Sequence, residues 1–180
     1  MQDDKELVSR CCKGERAAQK ELYERFAARM LAVCMRYTKT QDDAEDILQE
    51  AFIKVFNHMD KFRHESSLGF WIKRIVINTA LNYHRKQVYL YPHVDVDERH
   101  DLGNEDVAIE NYHFKDLLNL LQGLPKGCQV VFNLYAIEGY KHKEIAKMLD
   151  ISEGTSKSQY ARAKLLLKDM ISELGEVKHG

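Results

Sequence analysis

The chain is 180 residues long and nearly neutral, with 27 Lys and Arg against 28 Asp and Glu and a formal net charge of −1. Its 44% hydrophobic and 31% charged content suits a soluble globular protein and excludes a fibrous or low-complexity one. Two Pro and nine Gly, set among long runs rich in Leu, Ala, Lys and Glu, predict an all-α fold. The four cysteines, at 11, 12, 34 and 128, lack any zinc-ligand spacing and read as reduced thiols, so no metal and no cofactor is expected. There is no signal peptide and no apolar run of about 18 residues. That predicts a cytoplasmic protein without membrane insertion.

From the N-terminus, a short helix is expected over 3–13, with Leu7, Val8 and Cys11 as its apolar side and Gly14 as its stop. A longer helix follows from Arg16 to Thr38, because Leu22, Phe26, Met30, Val33 and Tyr37 recur at helical spacing as a buried stripe. The next stretch, Gln41 to Glu50, carries five carboxylates (Asp42, Asp43, Glu45, Asp46 and Glu50) and no base. Ala44, Leu48, Ala51, Phe52 and Val55 form an apolar stripe through it. The predicted helix over 42–57 therefore has one core face and one acidic face that includes Gln49. Early carboxylates suit the helix dipole, which makes a solvated helix start one explanation; a docking surface for a basic protein partner is the other.

Residues 60–68 read as a connecting loop. A second charged helix is expected over 69–86, and from Phe70 to Gln87 it has four Lys and Arg and no acid. Ile72, Val76 and Ala80 share one face, while Lys73, Arg74, Asn78, Asn82, Arg85 and Lys86 lie on another. Trp71 beside that surface is either a core anchor or a ring on which unpaired bases stack while cations follow the backbone.

The helical pattern then stops. From Pro92 to Asn111 there are seven acids against one base, Arg99, which marks an acidic linker extended by like-charge repulsion. Helical periodicity returns near Ala108 with Tyr112, Leu117, Leu118, Leu120 and Leu121, and ends near Gly123. Pro125 is placed to open the next helix, whose apolar face is Val130, Val131, Leu134 and Ile137 and whose stop is Gly139. The expected organisation is a helical domain over 1–87, a linker over 88–107, a second helical domain over 108–174 and a polar tail over 175–180.

Within the second domain, Tyr140 to Leu167 reads as two short helices around the turn Asp150-Ile151-Ser152. Ile145, Ala146 and Leu149 face inward on the first helix; Ala163, Leu166 and Leu167 do so on the second. Ser152 is a good N-cap, with Glu153 in the first turn. An ordinary helical hairpin would show the same pattern. What favours a DNA-binding helix-turn-helix is charge: from Gly139 to Ile171 there are seven Lys and Arg against four acids in a chain that is neutral overall. The first turns of such a second helix reach base edges in the major groove, and here they offer Thr155, Lys157, Ser158 and Arg162.

Three segments in this order resemble a known family. They are Glu21-Leu-Tyr-Glu-Arg-Phe26 with Asp43-Ala-Glu-Asp-Ile-Leu-Gln-Glu-Ala-Phe-Ile-Lys-Val-Phe56; Phe62-Arg-His-Glu-Ser-Ser67 with Phe70-Trp-Ile-Lys-Arg-Ile-Val-Ile-Asn-Thr-Ala-Leu-Asn-Tyr83; and Leu124-Pro125 with Gly139-Tyr-x-x-x-Glu-Ile-Ala146, Ile151-Ser-Glu-Gly-Thr155, Lys157-Ser158 and Arg162-Ala-Lys164. The chain resembles bacterial RNA polymerase sigma factors of the extracytoplasmic-function (ECF) group, in the sigma-70 family. The resemblance implies a non-enzymatic alternative sigma factor. Its partners would be core RNA polymerase, through the beta-prime clamp helices and the beta flap, promoter DNA, and an anti-sigma factor as regulator. Asp43, Asp46, Gln49 and Glu50 would contact the polymerase. Arg63, His64, Ser66, Ser67, Trp71, Arg74, Asn78, Asn82 and Arg85 would hold the opened minus-ten element. Lys143, Thr155, Lys157, Ser158 and Arg162 would read the minus-thirty-five duplex, and the acidic linker would run toward the RNA exit path.

The chain departs from the family's pattern in three places. Asp150 stands where the turn usually has Gly, Ser156 where the second helix usually has Val, and Gln19 where an aromatic is common. A stand-alone helix-turn-helix regulator would share the C-terminal pattern, but it would not need an acidic helix followed by a basic, aromatic one. An enzyme is disfavoured. Glu110 and His113 supply one Glu-x-x-His, whereas a di-iron bundle needs two with further carboxylates, and no phosphate-binding Gly-rich loop is present.

Overall fold

Leu22, Phe26, Met30, Val33 and Tyr37 are all buried in the computed structural model, as their spacing requires. The structure describes residues 2–88 and 114–177, with side chains over 4–83 and 115–172. The acidic linker, Glu110, His113 and the expected helix onset at Ala108 lie outside the described residues. The chain divides into two compact units, Met1–Pro92 and His93–Gly180.

The first unit contains α1 (Gln2–Cys12), α2 (Arg16–Met35), α3 (Gln41–Asn57), a 3-10 turn (Met59–Lys61) and α4 (Leu68–Val88). Gly14 terminates α1 as expected: it takes φ +76, and its N–H donates to the Cys11 carbonyl. The second helix ends at Met35 rather than Thr38. Thr38 instead donates its hydroxyl to the Cys34 and Thr40 carbonyls. Thr40 turns extended so that its Oγ1 can accept the Asp43 N–H, at 3.2 Å, and cap α3. The core lies between α2, α3 and α4, which pack on one another. Every member of the expected α3 stripe is buried, and Ile47 joins it. Ile72, Val76 and Ala80 bring the matching face of α4. Gly69 lets α4 approach α2 closely, since a Cβ there would lie 3.1 Å from Phe26 Cε1.

The second unit contains α5 (Phe114–Gly123), α6 (Lys126–Phe132), one π-helical turn (Asn133–Ile137), α7 (His142–Leu149) and α8 (Glu153–Val177). Pro125 precedes the first helical residue of α6 and accepts the Gln129 N–H at its carbonyl. Gly139, at φ +78, follows the π-turn. Leu121, Leu124, Cys128, Phe132, Ala163 and Leu167 form the core. The expected second helix stops at Leu167, but α8 runs ten residues further. Leu166, Met170 and Ile171 continue its apolar stripe against that core, so packing propagates the helix through the residues read as a domain end and tail.

All four cysteines are free. Cys11 and Cys12 face opposite ways, one buried and one exposed. Burial pushes the thiols of Cys11 and Cys128 up, and that of Cys34 to about 12, so they act as small apolar side chains. No helix among the described residues is long and apolar enough to cross a membrane.

Ile72 is fully buried on the seam of the first unit. Ile72→Ala is expected to cost about 2–5 kcal/mol, read as a shifted midpoint in urea unfolding followed by circular dichroism.

Candidate nucleic-acid interface

In the second unit, α7 and α8 are joined by a turn whose geometry depends on Asp150. It adopts φ 57 and ψ 49, the left-handed conformation. Asp is among the few non-glycine residues that visit this region readily, so the turn forms without the Gly of the usual pattern. The Ile151 N–H then donates to the Ala146 carbonyl at 3.0 Å. Ser152 Oγ accepts the Thr155 N–H at 2.9 Å and caps α8, as its position predicts.

Ser156 is fully buried, and its hydroxyl lies 2.9 Å from His142 Nδ1. The departure from Val therefore exchanges an apolar contact for a polar bridge between the starts of α7 and α8. His142 also stacks on Tyr135, at 4.2 Å between ring centroids, and Tyr135 lies 4.5 Å from Tyr160. Tyr135 sits in the π-turn, so the irregularity supplies one side of an aromatic cluster that wedges the two helices. From behind, Cys128 Sγ donates to Gln159 Oε1 at 3.1 Å and fixes α8 on α6.

This leaves Lys143, Thr155, Lys157, Ser158 and Arg162 exposed together on one unit. Thr155, Ser158 and Arg162 fall at i, i+3 and i+7 and share a stripe of α8. Lys157 lies off that stripe. It pairs with Glu153 at 2.9 Å, and this bond holds the Glu153 carboxyl below the usual range. A phosphate would have to compete for it.

The first unit carries two charged faces. On α4, Trp71, Arg74, Asn78 and Asn82 fall at i, i+3, i+7 and i+11; the last three are exposed. Arg85 continues this register, but its side chain lies outside the described residues. Trp71 is neither a buried anchor nor a free ring: it is half-buried, 5.4 Å from Phe62. The loop residues Arg63, His64, Ser66 and Ser67 are exposed beside it, and Ser67 Oγ accepts the Phe70 N–H at 3.2 Å. Phe70 was not among the expected contacts, yet it is 50% exposed, with the Lys73 ammonium 5.8 Å from its ring centre. Its position off the Ile72–Val76–Ala80 stripe is the sequence signal for that exposure.

On α3, Asp46, Gln49 and Glu50 are exposed along one stripe, and Glu50 pairs with Lys54 at 2.6 Å. Ile53, one turn on, is 59% exposed and adds an apolar group to the acidic face. It stands outside the five-residue core stripe, which is the signal that marks it. Asp43 differs from its neighbours. Its carboxylate accepts the Tyr83 hydroxyl and, at 2.7 Å, the Thr40 hydroxyl. Asp43 thus serves to start α3 and tie it to α4.

The family described as Sigma-70 region 2 matches residues 22–88, and that described as Sigma-70, region 4 matches residues 114–167. Among curated relatives, the ECF RNA polymerase sigma-E factor of Haemophilus influenzae is 28% identical over 95% of this chain and 96% of its own length. That of Escherichia coli K12 is 29% identical over 95% of both. Among solved structures, CnrH in complex with the cytosolic domain of CnrY has a TM-score of 0.51 at 19% identity, over 93% of this chain and 96% of its own. The sigma factor RpoE of Bartonella quintana, solved with the anti-sigma factor NepR, has a TM-score of 0.53 at 20% identity, over 85% and 96%. These two likenesses are likenesses of fold.

Burial lowers the pKa of His142, and the cation of Lys157 lowers it further. The unfolded chain therefore binds the proton first, near the ordinary histidine value of about 6.5. Stability from this site is complete above that value and declines as pH falls from there toward the lower folded value. Thermal unfolding followed between pH 7.5 and 5.5 is expected to show this decline, and His142→Gln to flatten it.

Proposed function

The chain belongs to the sigma-70 family, as an alternative sigma factor of the ECF group that binds core RNA polymerase and directs promoter-specific initiation, and we propose how its surfaces divide that work. Phosphodiester chemistry belongs to the polymerase; this subunit supplies recognition. The observation that carries the division is the placement, in one small unit, of an acidic face on α3 and a basic, amide- and ring-bearing face on α4.

The α3 stripe of Asp46, Gln49 and Glu50, with Ile53, docks on the basic clamp helices of the beta-prime subunit. Electrostatic complementarity speeds the encounter, and the apolar group adds contact area at its centre. Asp43 contributes by holding α3 against α4 rather than by touching the polymerase. The α4 stripe and the loop 63–67 hold the opened minus-ten strand. Bases stack on rings, amides meet base edges, and cations follow phosphates. Residues 88–107 link the units along the polymerase toward the RNA exit path, and the second unit meets the beta flap.

There, Thr155, Ser158 and Arg162 enter the major groove of the minus-thirty-five element, with Lys143 and Lys157 on phosphates. The site of action is the cytoplasm, where core polymerase works. An anti-sigma protein, as seen with the Bartonella quintana factor, is the proposed regulator.

Gel filtration with sigma-free core polymerase, followed by transcription from genomic fragments, tests the whole reading: co-elution and specific initiation are expected. A chain that elutes alone yet shifts duplex DNA would instead be a stand-alone regulator. Asp46→Lys with Glu50→Lys is expected to weaken core binding by about tenfold or more, with the fold intact by circular dichroism. Arg162→Ala is expected to weaken minus-thirty-five binding by about 5- to 100-fold and leave core binding unchanged, read by fluorescence anisotropy on duplex DNA.

A further inference from the structure

From Lys141 to Arg162 the helix-turn-helix contains three carboxylates, and two of them have a role inside the fold. Glu144 Oε2 accepts the Lys141 N–H at 2.8 Å and closes the start of α7. Asp150 makes the left-handed turn. Glu153 is the third. It is the first residue of α8, directly after the Ser152 cap, and its side chain is 49% exposed. Its structural contribution is small: Ser152 already caps the helix, and an exposed i,i+4 pair with Lys157 adds little stability. Its position is unfavourable on a duplex-binding surface. The hydrogen bond from Lys157 holds its carboxyl below the usual range, and the charges of His142 and Lys143 act in the same direction. Glu153 is therefore an ionised carboxylate set among the cations that meet phosphates, where it repels the duplex backbone.

We propose that Glu153 is a specificity-determining residue of the recognition helix, whose carboxylate accepts a hydrogen bond from the N4 amino group of one cytosine in the minus-thirty-five duplex. This rests on the reading of α8 as the helix that enters the major groove. First-turn residues of such a helix reach base edges, and an ionised carboxylate brings acceptors and no donor. Cytosine offers it a donor. Guanine presents two acceptors, thymine one, and adenine sets the N7 acceptor beside its amino group. On docking, Lys157 exchanges Glu153 for a phosphate and frees the carboxylate for the base. Opposite any other base the carboxylate stays unmatched beside the phosphates, so non-cognate duplex is rejected.

The test uses the full-length chain assembled with core polymerase, and duplex probes built on the minus-thirty-five region of a promoter that the holoenzyme transcribes. Each base pair is replaced in turn, and affinity is read by fluorescence anisotropy. Wild type is expected to prefer cytosine at one position by about 5- to 100-fold. Glu153→Ala is expected to abolish that preference and leave the relative preferences at other positions unchanged. Glu153→Gln, whose amide pairs with adenine N6 and N7, is expected to shift it toward adenine. A cytosine analogue lacking only the amino group, placed at that position, should weaken wild type and leave Glu153→Ala unaffected. Lys157→Ala separates the base contact from the ion pair. It should weaken every probe alike, lower the salt dependence by about one phosphate contact and keep the cytosine preference. An unchanged profile for Glu153→Ala, a change equal across all probes, or indifference of wild type to the missing amino group would overturn the proposal. Arg162→Ala locates a failure. If it binds every probe as wild type does, the reading of α8 falls and takes this inference with it. If it binds poorly while Glu153→Ala keeps the wild-type profile, the role of Glu153 alone is wrong.

Discussion

Asp43 and Lys54 are charged side chains of α3 that reach across to α4. Asp43 accepts the Tyr83 hydroxyl, while the Lys54 ammonium lies 3.3 Å from Thr79 Oγ1 and 2.6 Å from Glu50. With the apolar seam between the helices, these bridges hold α3 and α4 in one register. Because each helix spends its apolar stripe on that seam, the opposite faces must point outward. Those faces carry charges of opposite sign, acidic on α3 and basic on α4. The proposed docking and strand-binding surfaces therefore both follow from a single packing constraint. Both bridges are only partly buried, so they set register more than they supply stability.

The second unit solves a different problem with polar and aromatic groups. A helix-turn-helix presents its second helix well only if the angle to the first is held. Here Asp150 makes the turn, Ser152 caps α8, and the His142–Ser156 bridge and the Tyr135–His142–Tyr160 cluster hold the two helix starts together. The buried Ser156 hydroxyl is tolerable because His142 satisfies it; alone, it would cost about 1–3 kcal/mol. The long packed half of α8 anchors this assembly to the core.

A net charge of −1 conceals the organisation that matters. Acids concentrate on α3 and in the stretch between the units, and bases on α4 and along Gly139–Ile171. A surface segregated in this way can meet a basic protein on one face and nucleic acid on another. Each contact would weaken as salt rises, because screening acts on exposed charges.

Sequence alone determined the features that depend on neighbours along the chain. The stripes Leu22–Tyr37 and Ala44–Val55, the stops at Gly14 and Gly139 and the cap at Ser152 follow from helical periodicity and local backbone preference, and the structure has each of them. It also marked the two charged faces, since their residues recur at helical spacing. Tertiary structure decided what depends on a second element coming across. Asp43 and Asp46 look alike in sequence, yet Tyr83 engages only the first. Ser156 finds its partner fourteen residues away, on another helix. The length of α8 was set by a core it shares with α5 and α6, and the exposure of Ile53 and Phe70 by which faces their helices had already used. Periodicity says that a helix has an inside; only the packed neighbours say which polar groups are consumed there and which are left to meet a partner.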